Sequence, residues 1–125
     1  MAAVKRTLSI EVRDSLFDPD CTDRVALFRR RPSGDTLYRV FIYLEGPDLP
    51  FVNEVTYRLH ETFSPPTRAI TRSVSNSRCK ITIWTWGIFT VRATIGDKTE
   101  GQITITHDLT YGQQISAPET VLKAG

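Results

Sequence analysis

Short runs alternating apolar and polar residues, each closed by turn chemistry, constrain this chain more than any other feature of it. Leu37-Tyr38-Arg39-Val40-Phe41-Ile42-Tyr43-Leu44-Glu45 is long, aromatic and β-branched, and it stops at Gly46-Pro47-Asp48. Val52–Leu59 places Val55, Tyr57 and Leu59 on one face, and Pro65-Pro66 ends that segment. Proline lacks an amide donor and restricts the residue before it. Cys79–Trp84, Phe89–Ile95 and Gln102–His107 repeat the period of two, with Gly96–Gly101 as the turn between the last two. Leu8–Val12 and Arg24–Arg29 read as further extended runs, and Arg68–Thr71 as a short edge strand. No segment carries a helical period.

About seven or eight such strands predict an all-β fold, an antiparallel β-sandwich of two sheets, with an immunoglobulin-like arrangement favoured. The alternating Thr, Arg and Lys positions imply sheets with one wet face. A chain of 125 residues suits one domain, 1–125, with residues 112–125 expected as a loosely ordered tail. No run approaches the roughly 18 apolar residues of a membrane span. Met1–Arg6 has charge but no apolar core behind it, unlike a secretory signal. The net charge of +2 is too small to suggest a nucleic-acid surface, and Arg29-Arg30-Arg31 reads as a solvated hairpin end. Cys21, His60, Cys79 and His107 lack metal-ligand spacing, so neither metal nor cofactor is expected. The two cysteines suit a reducing compartment. His107 is expected to be structural or solvated. Enzyme signatures are missing: no Gly-x-Ser-x-Gly elbow, phosphate-binding glycine loop or His-Glu-x-x-His is present.

Chemistry is therefore sought where strands meet loops. Tyr57-Arg58-Leu59-His60-Glu61-Thr62-Phe63 and Trp84-Thr85-Trp86-Gly87-Ile88-Phe89 each set aromatic and hydroxyl side chains at such a junction. Two loops of this kind can form a narrow slot for a flat amide. Trp84, Phe41 and Phe89 are expected in the core, and Trp86 in the slot because Gly87 follows it. Phe28, just before a loop, is a candidate third wall.

These segments resemble the YEATS domain family. The Leu59-His60-x-Thr62-Phe63 piece, the Ser64-Pro65-Pro66 step, the Thr85-Trp86-Gly87-x-Phe89 loop and the leading Val40–Asp48 strand stand in the family's order and spacing, from about Leu37 to Ile95. The uninterrupted Tyr43–Asp48 and His60–Phe63 pieces look nearest the prokaryotic branch. The resemblance implies a non-enzymatic reader of acylated lysine, often with flat unsaturated acyl groups such as crotonyl. Phe63 and Trp86 would be its stacking walls, and Thr62 the hydroxyl that bonds the ligand amide. His60 would orient that hydroxyl, a backbone N–H near Trp86 would meet the acyl carbonyl, and Gly87 would leave room for the chain tip. Thr85 departs from the family's usual glycine and is expected to narrow the channel or alter the loop. Ile88 replaces a residue that is commonly acidic or small. The implied partner is an acylated lysine peptide or protein, in a bacterial cytoplasm, or in the nucleus if the source is eukaryotic. Two other readings stand: an adaptor domain of a bacterial signalling or defence system with a modified pocket, and a hydrolase or transferase with a spatially assembled site.

Overall fold

The computed structural model describes residues 8–22, 25–98, 101–115 and 121–125. The Met1–Arg6 start, Arg24, Thr99, Glu100 and residues 116–120 of the tail lie outside them. The described strands are β1 (Glu11–Ser15), β2 (Val25–Arg30), β3 (Thr36–Glu45), β4 (Val52–Arg58), β5 (Thr67–Thr71), β6 (Ile81–Thr85), β7 (Thr90–Asp97), β8 (Gln102–Asp108) and β9 (Val121–Ala124). A 3-10 turn spans Leu49–Phe51, and a four-residue helix, α1, spans Gly112–Ile115. No helix among the described residues is long and apolar enough to cross a membrane.

Two sheets stack as a sandwich. In the first, β3 is central: β6 pairs along one edge, while β1 and β2 share the other edge at opposite ends, and β9 extends the sheet beyond β2 in parallel. The second is an antiparallel sheet in the order β5-β4-β7-β8. The period of two sets which side chains fill the space between them. Val40, Ile42 and Leu44 of β3, Ile81 and Ile83 of β6, Val55 and Tyr57 of β4, and Val91, Ala93 and Ile95 of β7 are all buried there. The Tyr57 hydroxyl donates to the Cys79 carbonyl at 2.8 Å, which satisfies a phenol that burial pushes well above its usual range.

The described residues of the tail, 112–115 and 121–125, form two short elements. Helix α1 docks on β1, with the Gln114 side chain accepting from the Leu16 N–H and donating to Ser15, and β9 pairs residue by residue with β2. The first strand also begins three residues later than the Leu8–Val12 alternation suggests, although Leu8 and Ile10 are buried as expected.

Of two residues expected in the core, Phe41 is buried and Trp84 stands elsewhere. Trp84 shares the outer face with its register partner Arg39, because Ile81, Ile83 and Thr85 take the inward parity of β6. Arg29 covers the Trp84 ring at 4.0 Å. Phe41 is buried outside the core cluster, under Arg39 and Lys80. Both rings gain their shelter from arginine and lysine stems.

One polar cluster ties the sheets together where β1 meets β8. The Asp14 carboxylate accepts from His107 Nε2 and from both the N–H and the hydroxyl of Thr110. Burial pushes this carboxyl up, but the hydrogen bonds from His107 and Thr110 outweigh it and hold it below the usual carboxylate range.

Candidate functional site

Two loops at one end of the sandwich enclose a cleft of about 490 Å³. The first follows β4. The Leu59 N–H donates to the Pro66 carbonyl at 2.7 Å and closes the loop, and the Phe63 N–H donates to the His60 carbonyl at 3.0 Å and makes a turn inside it. The Ser64–Pro65 bond is cis. The second loop follows β6 and holds Trp86, Gly87 and Ile88.

Inside the first loop, His60 and Thr62 form a directed pair. His60 Nδ1 lies 2.9 Å from the Thr62 hydroxyl and 3.2 Å from the Thr62 backbone nitrogen. The amide can only donate, so Nδ1 is an acceptor and the neutral ring carries its proton on Nε2. The Thr62 hydroxyl then donates to the same nitrogen, which leaves its own lone pairs turned to other partners. Phe63 and His60 both pack on Phe89, with centroids 5.2 and 6.3 Å apart and tilted rings. Phe63 and Phe89 are half-buried and form an aromatic floor.

Trp86 is 66 % exposed, so its ring stands at the cleft rather than in the core. The loop beneath it is braced from inside. Thr85 takes the inward parity of β6, and its hydroxyl donates to the Gly87 carbonyl at 3.0 Å and accepts from the Gly87 N–H at 3.3 Å. The buried Tyr111 donates to that same carbonyl at 3.0 Å. Burial raises the Tyr111 phenol above its usual range, with the nearby Thr85 side chain opposing it. The Thr85 side chain, expected to narrow the channel or alter the loop, thus holds the turn. A Cβ placed on Gly87 would meet nothing within 4 Å, so space is open at that position.

Of the residues singled out in sequence, the cleft brings together His60, Thr62, Phe63, Thr85, Trp86 and Gly87. Phe28 is not among them. Its β2 register sets it opposite Tyr38, whose ring packs against the core and Tyr111, so Phe28 shares that face and lies outside the cleft lining. The lining also includes Ile88, which departs from the resembled pattern, and residues not foreseen there: Phe89, Ser64, Leu37, Trp84, Arg31 and Arg68. Phe89 follows the same alternation as true core residues, so only the loop path separates it from them. Arg31 and Arg68 come from distant segments, and Tyr111 lies beyond the matching motifs.

A larger cavity, about 600 Å³, lies along the β1–β8 junction. Its buried polar groups already satisfy one another through Asp14, His107, Thr110, Ser15 and Gln114. Among the described residues no group of three His, Cys, Asp or Glu side chains could hold a metal ion. Both cysteines are free thiols, Cys21 exposed and Cys79 buried.

No curated protein matches the chain in sequence. Solved structures resemble it in fold. The Yaf9 YEATS domain recognizing an H3K122suc peptide superimposes with a TM-score of 0.55 at 20% identity, covering 93% of this chain and 84% of that one. The yeast AF-9 homolog protein Yaf9 gives 0.53 at 18% identity, with 82% and 69% covered. The Yaf9 YEATS domain bound to H3K27ac gives 0.51 at 19% identity, with 85% and 77% covered. These likenesses establish the immunoglobulin-like β-sandwich. The family model for the prokaryotic YEATS domain matches residues 38–110, which span both loops of the cleft, and this chain belongs to that family.

Proposed function

We propose that this domain is a non-enzymatic binding module that takes the flat acyl-amide of an acylated lysine into the cleft between Trp86 and the Phe63–Phe89 floor. The observation that carries the reading is the His60–Thr62 pair, which leaves an oriented hydroxyl acceptor beside exposed aromatic rings. A secondary amide presents one donor and one acceptor, and burying either unpaired costs about 1–3 kcal/mol. The Thr62 oxygen would accept the amide N–H. The Gly87 N–H is already engaged by Thr85, so the acyl carbonyl would turn to the Trp86 N–H. Stacking would add about 0.5–1.5 kcal/mol for each aromatic contact. Acetyl and succinyl groups, the marks named for the Yaf9 complexes, fall in the same ligand class as crotonyl. Affinity in the micromolar to millimolar range follows, about −8 to −4 kcal/mol. A cytoplasmic site of action accords with the family.

Titration with crotonyl-lysine and unmodified lysine peptides, read by NMR shifts, tests the proposal. Shifts confined to the acylated peptide, lost in Trp86→Ala and weakened by about 1–3 kcal/mol in Thr62→Val, are expected. Equal shifts from both peptides would remove it. One observation favours the adaptor reading instead: Trp86 and Ile88, 66 % and 63 % exposed, present an apolar tip fit for a protein surface.

A further inference from the structure

Building on that reading, we infer that the acylated lysine is presented within an acidic polypeptide segment, which lies along a track of arginines running from the cleft across the outer face of the first sheet. Arg31 and Arg68 both line the cleft, and among the described residues no carboxylate does. The track continues through shared neighbours. Trp84 and Leu37 line the cleft; Arg39 is the register partner of Trp84, and Arg29 that of Leu37.

Each of these arginines is held by a specific contact. The Arg29 guanidinium lies 4.0 Å over Trp84, with Nε donating to the Gly125 carbonyl. Arg39 stacks on Phe41 at 4.8 Å, and its buried Nε has no hydrogen-bond partner. The Arg68 Nε donates to the Pro65 carbonyl at 2.9 Å. Aromatic faces and backbone oxygens fix the three groups, and among the described residues none is paired with an Asp or Glu side chain. Only Arg31 has a carboxylate, Asp35, at 3.1 Å. Elsewhere Arg13, Arg78 and Lys80 are matched to Glu or Asp, while Arg58 and Arg72 bond the Thr67 hydroxyl and the Ser77 carbonyl. Fixed guanidiniums with unspent donors favour carboxylates in a bidentate fork and lose little side-chain freedom on binding. A lysine embedded in basic sequence would meet like charge along the whole track. A peptide is favoured over nucleic acid because the proposed occupant of the cleft that anchors the track is an acylated lysine side chain.

Three peptides sharing one central crotonyl-lysine, flanked by glutamates, serines or lysines, separate the possibilities by fluorescence anisotropy. Each exposed ion pair is worth about 1.4–5-fold, so the glutamate peptide should bind about tenfold or more tighter than the lysine peptide at about 50 mM salt. The gap should shrink at about 500 mM, where the screening length falls from about 14 Å to about 4 Å. Arg29→Gln and Arg39→Gln should each reduce the glutamate peptide's advantage by about 1.4–5-fold while leaving the serine peptide's affinity unchanged; Arg29→Gln, at the surface, serves should Arg39→Gln fail to fold. Equal affinities for glutamate and lysine flanks, with binding still lost in Trp86→Ala, would overturn this inference and leave the slot reading standing. Failure of all three peptides to bind would overturn both. Tighter binding of a single-stranded oligonucleotide than of the glutamate peptide, sensitive to Arg29→Gln, would replace the acidic peptide with nucleic acid.

Discussion

The Gly87 carbonyl is the point where fold and cleft are joined, and a double-mutant cycle should reveal it. It accepts from the Thr85 hydroxyl and from the Tyr111 hydroxyl, each at 3.0 Å. Tyr111→Phe removes one donor and leaves the ring in place. A net hydrogen bond is worth about 0.5–1.5 kcal/mol, and the carbonyl keeps its second partner, so the loss should fall near 1 kcal/mol. Thr85→Val is nearly isosteric at a buried position and deletes the other donor together with the Gly87 N–H acceptor, for about 1–1.5 kcal/mol. The double variant strands the carbonyl. Its cost should exceed the sum of the singles by about 1 kcal/mol, well outside the 0.3–0.5 kcal/mol within which independent sites add. For a chain of this size, 1 kcal/mol corresponds to about 3–6 °C in Tm. Urea and thermal denaturation of the four proteins measure the coupling, and the Trp86 indole NMR signal reports loosening of the loop. Strict additivity would refute the reasoning, because it would mean that water takes over at half-exposed Gly87 and the two hydroxyls do not share one acceptor.

Gly46 has φ +143°, and a Cβ there would sit 2.5 Å from the Ser9 carbonyl oxygen, so Gly46→Ala should destabilise by at least about 1–3 kcal/mol in chemical denaturation. Gly87→Ala, facing open space, should stay within about 0.5 kcal/mol. Because the folded Asp14 carboxyl is held below its unfolded value, the stability it contributes is present above the ordinary carboxylate range and is lost as pH falls through the lower folded value. Asp14→Asn should therefore be less stable than wild type at neutral pH and show a shallower acid decline in urea titrations. Burial pushes the Cys79 thiol up to about 11, so iodoacetamide at mildly alkaline pH should label exposed Cys21 and spare Cys79 in the native protein, as read by mass spectrometry.

How much of this was legible in the sequence depends on the range of the interaction. Parity along a strand is local, so Val55, Tyr57, Val91 and Ile95 could be placed in the core from their spacing alone. Trp84 was misplaced against that rule: it was set in the core by contrast with Trp86, whereas Ile81 and Ile83 fix the inward face of β6. Phe28 failed similarly: its position before a loop said nothing of its partner, and the register with Tyr38 took it away from the cleft. The His60–Thr62 pair was readable because both groups lie in one turn. Arg31 and Arg68 could not be brought to the cleft without the pairing of β2 with β3 and of β5 with β4.

The tail is where local reasoning was least sufficient. Residues beyond His107 carry little alternation, yet Thr110 closes the Asp14 cluster, Tyr111 holds the Trp86 turn and Gln114 docks on β1. Each of these bonds spans from 24 to 98 residues in sequence. Such contacts leave no periodic trace, since a single side chain with a single distant partner needs no repeat. They also place the cleft's stability under the control of a segment that never touches the proposed ligand. Tyr111 sets the backbone of the Trp86 turn, and Thr110, the residue before it, is fixed by Asp14 across the sheet junction. A change at Asp14 can therefore reach the aromatic wall through two adjacent residues, which makes the order of the Trp86 loop depend on how firmly the two sheets are joined.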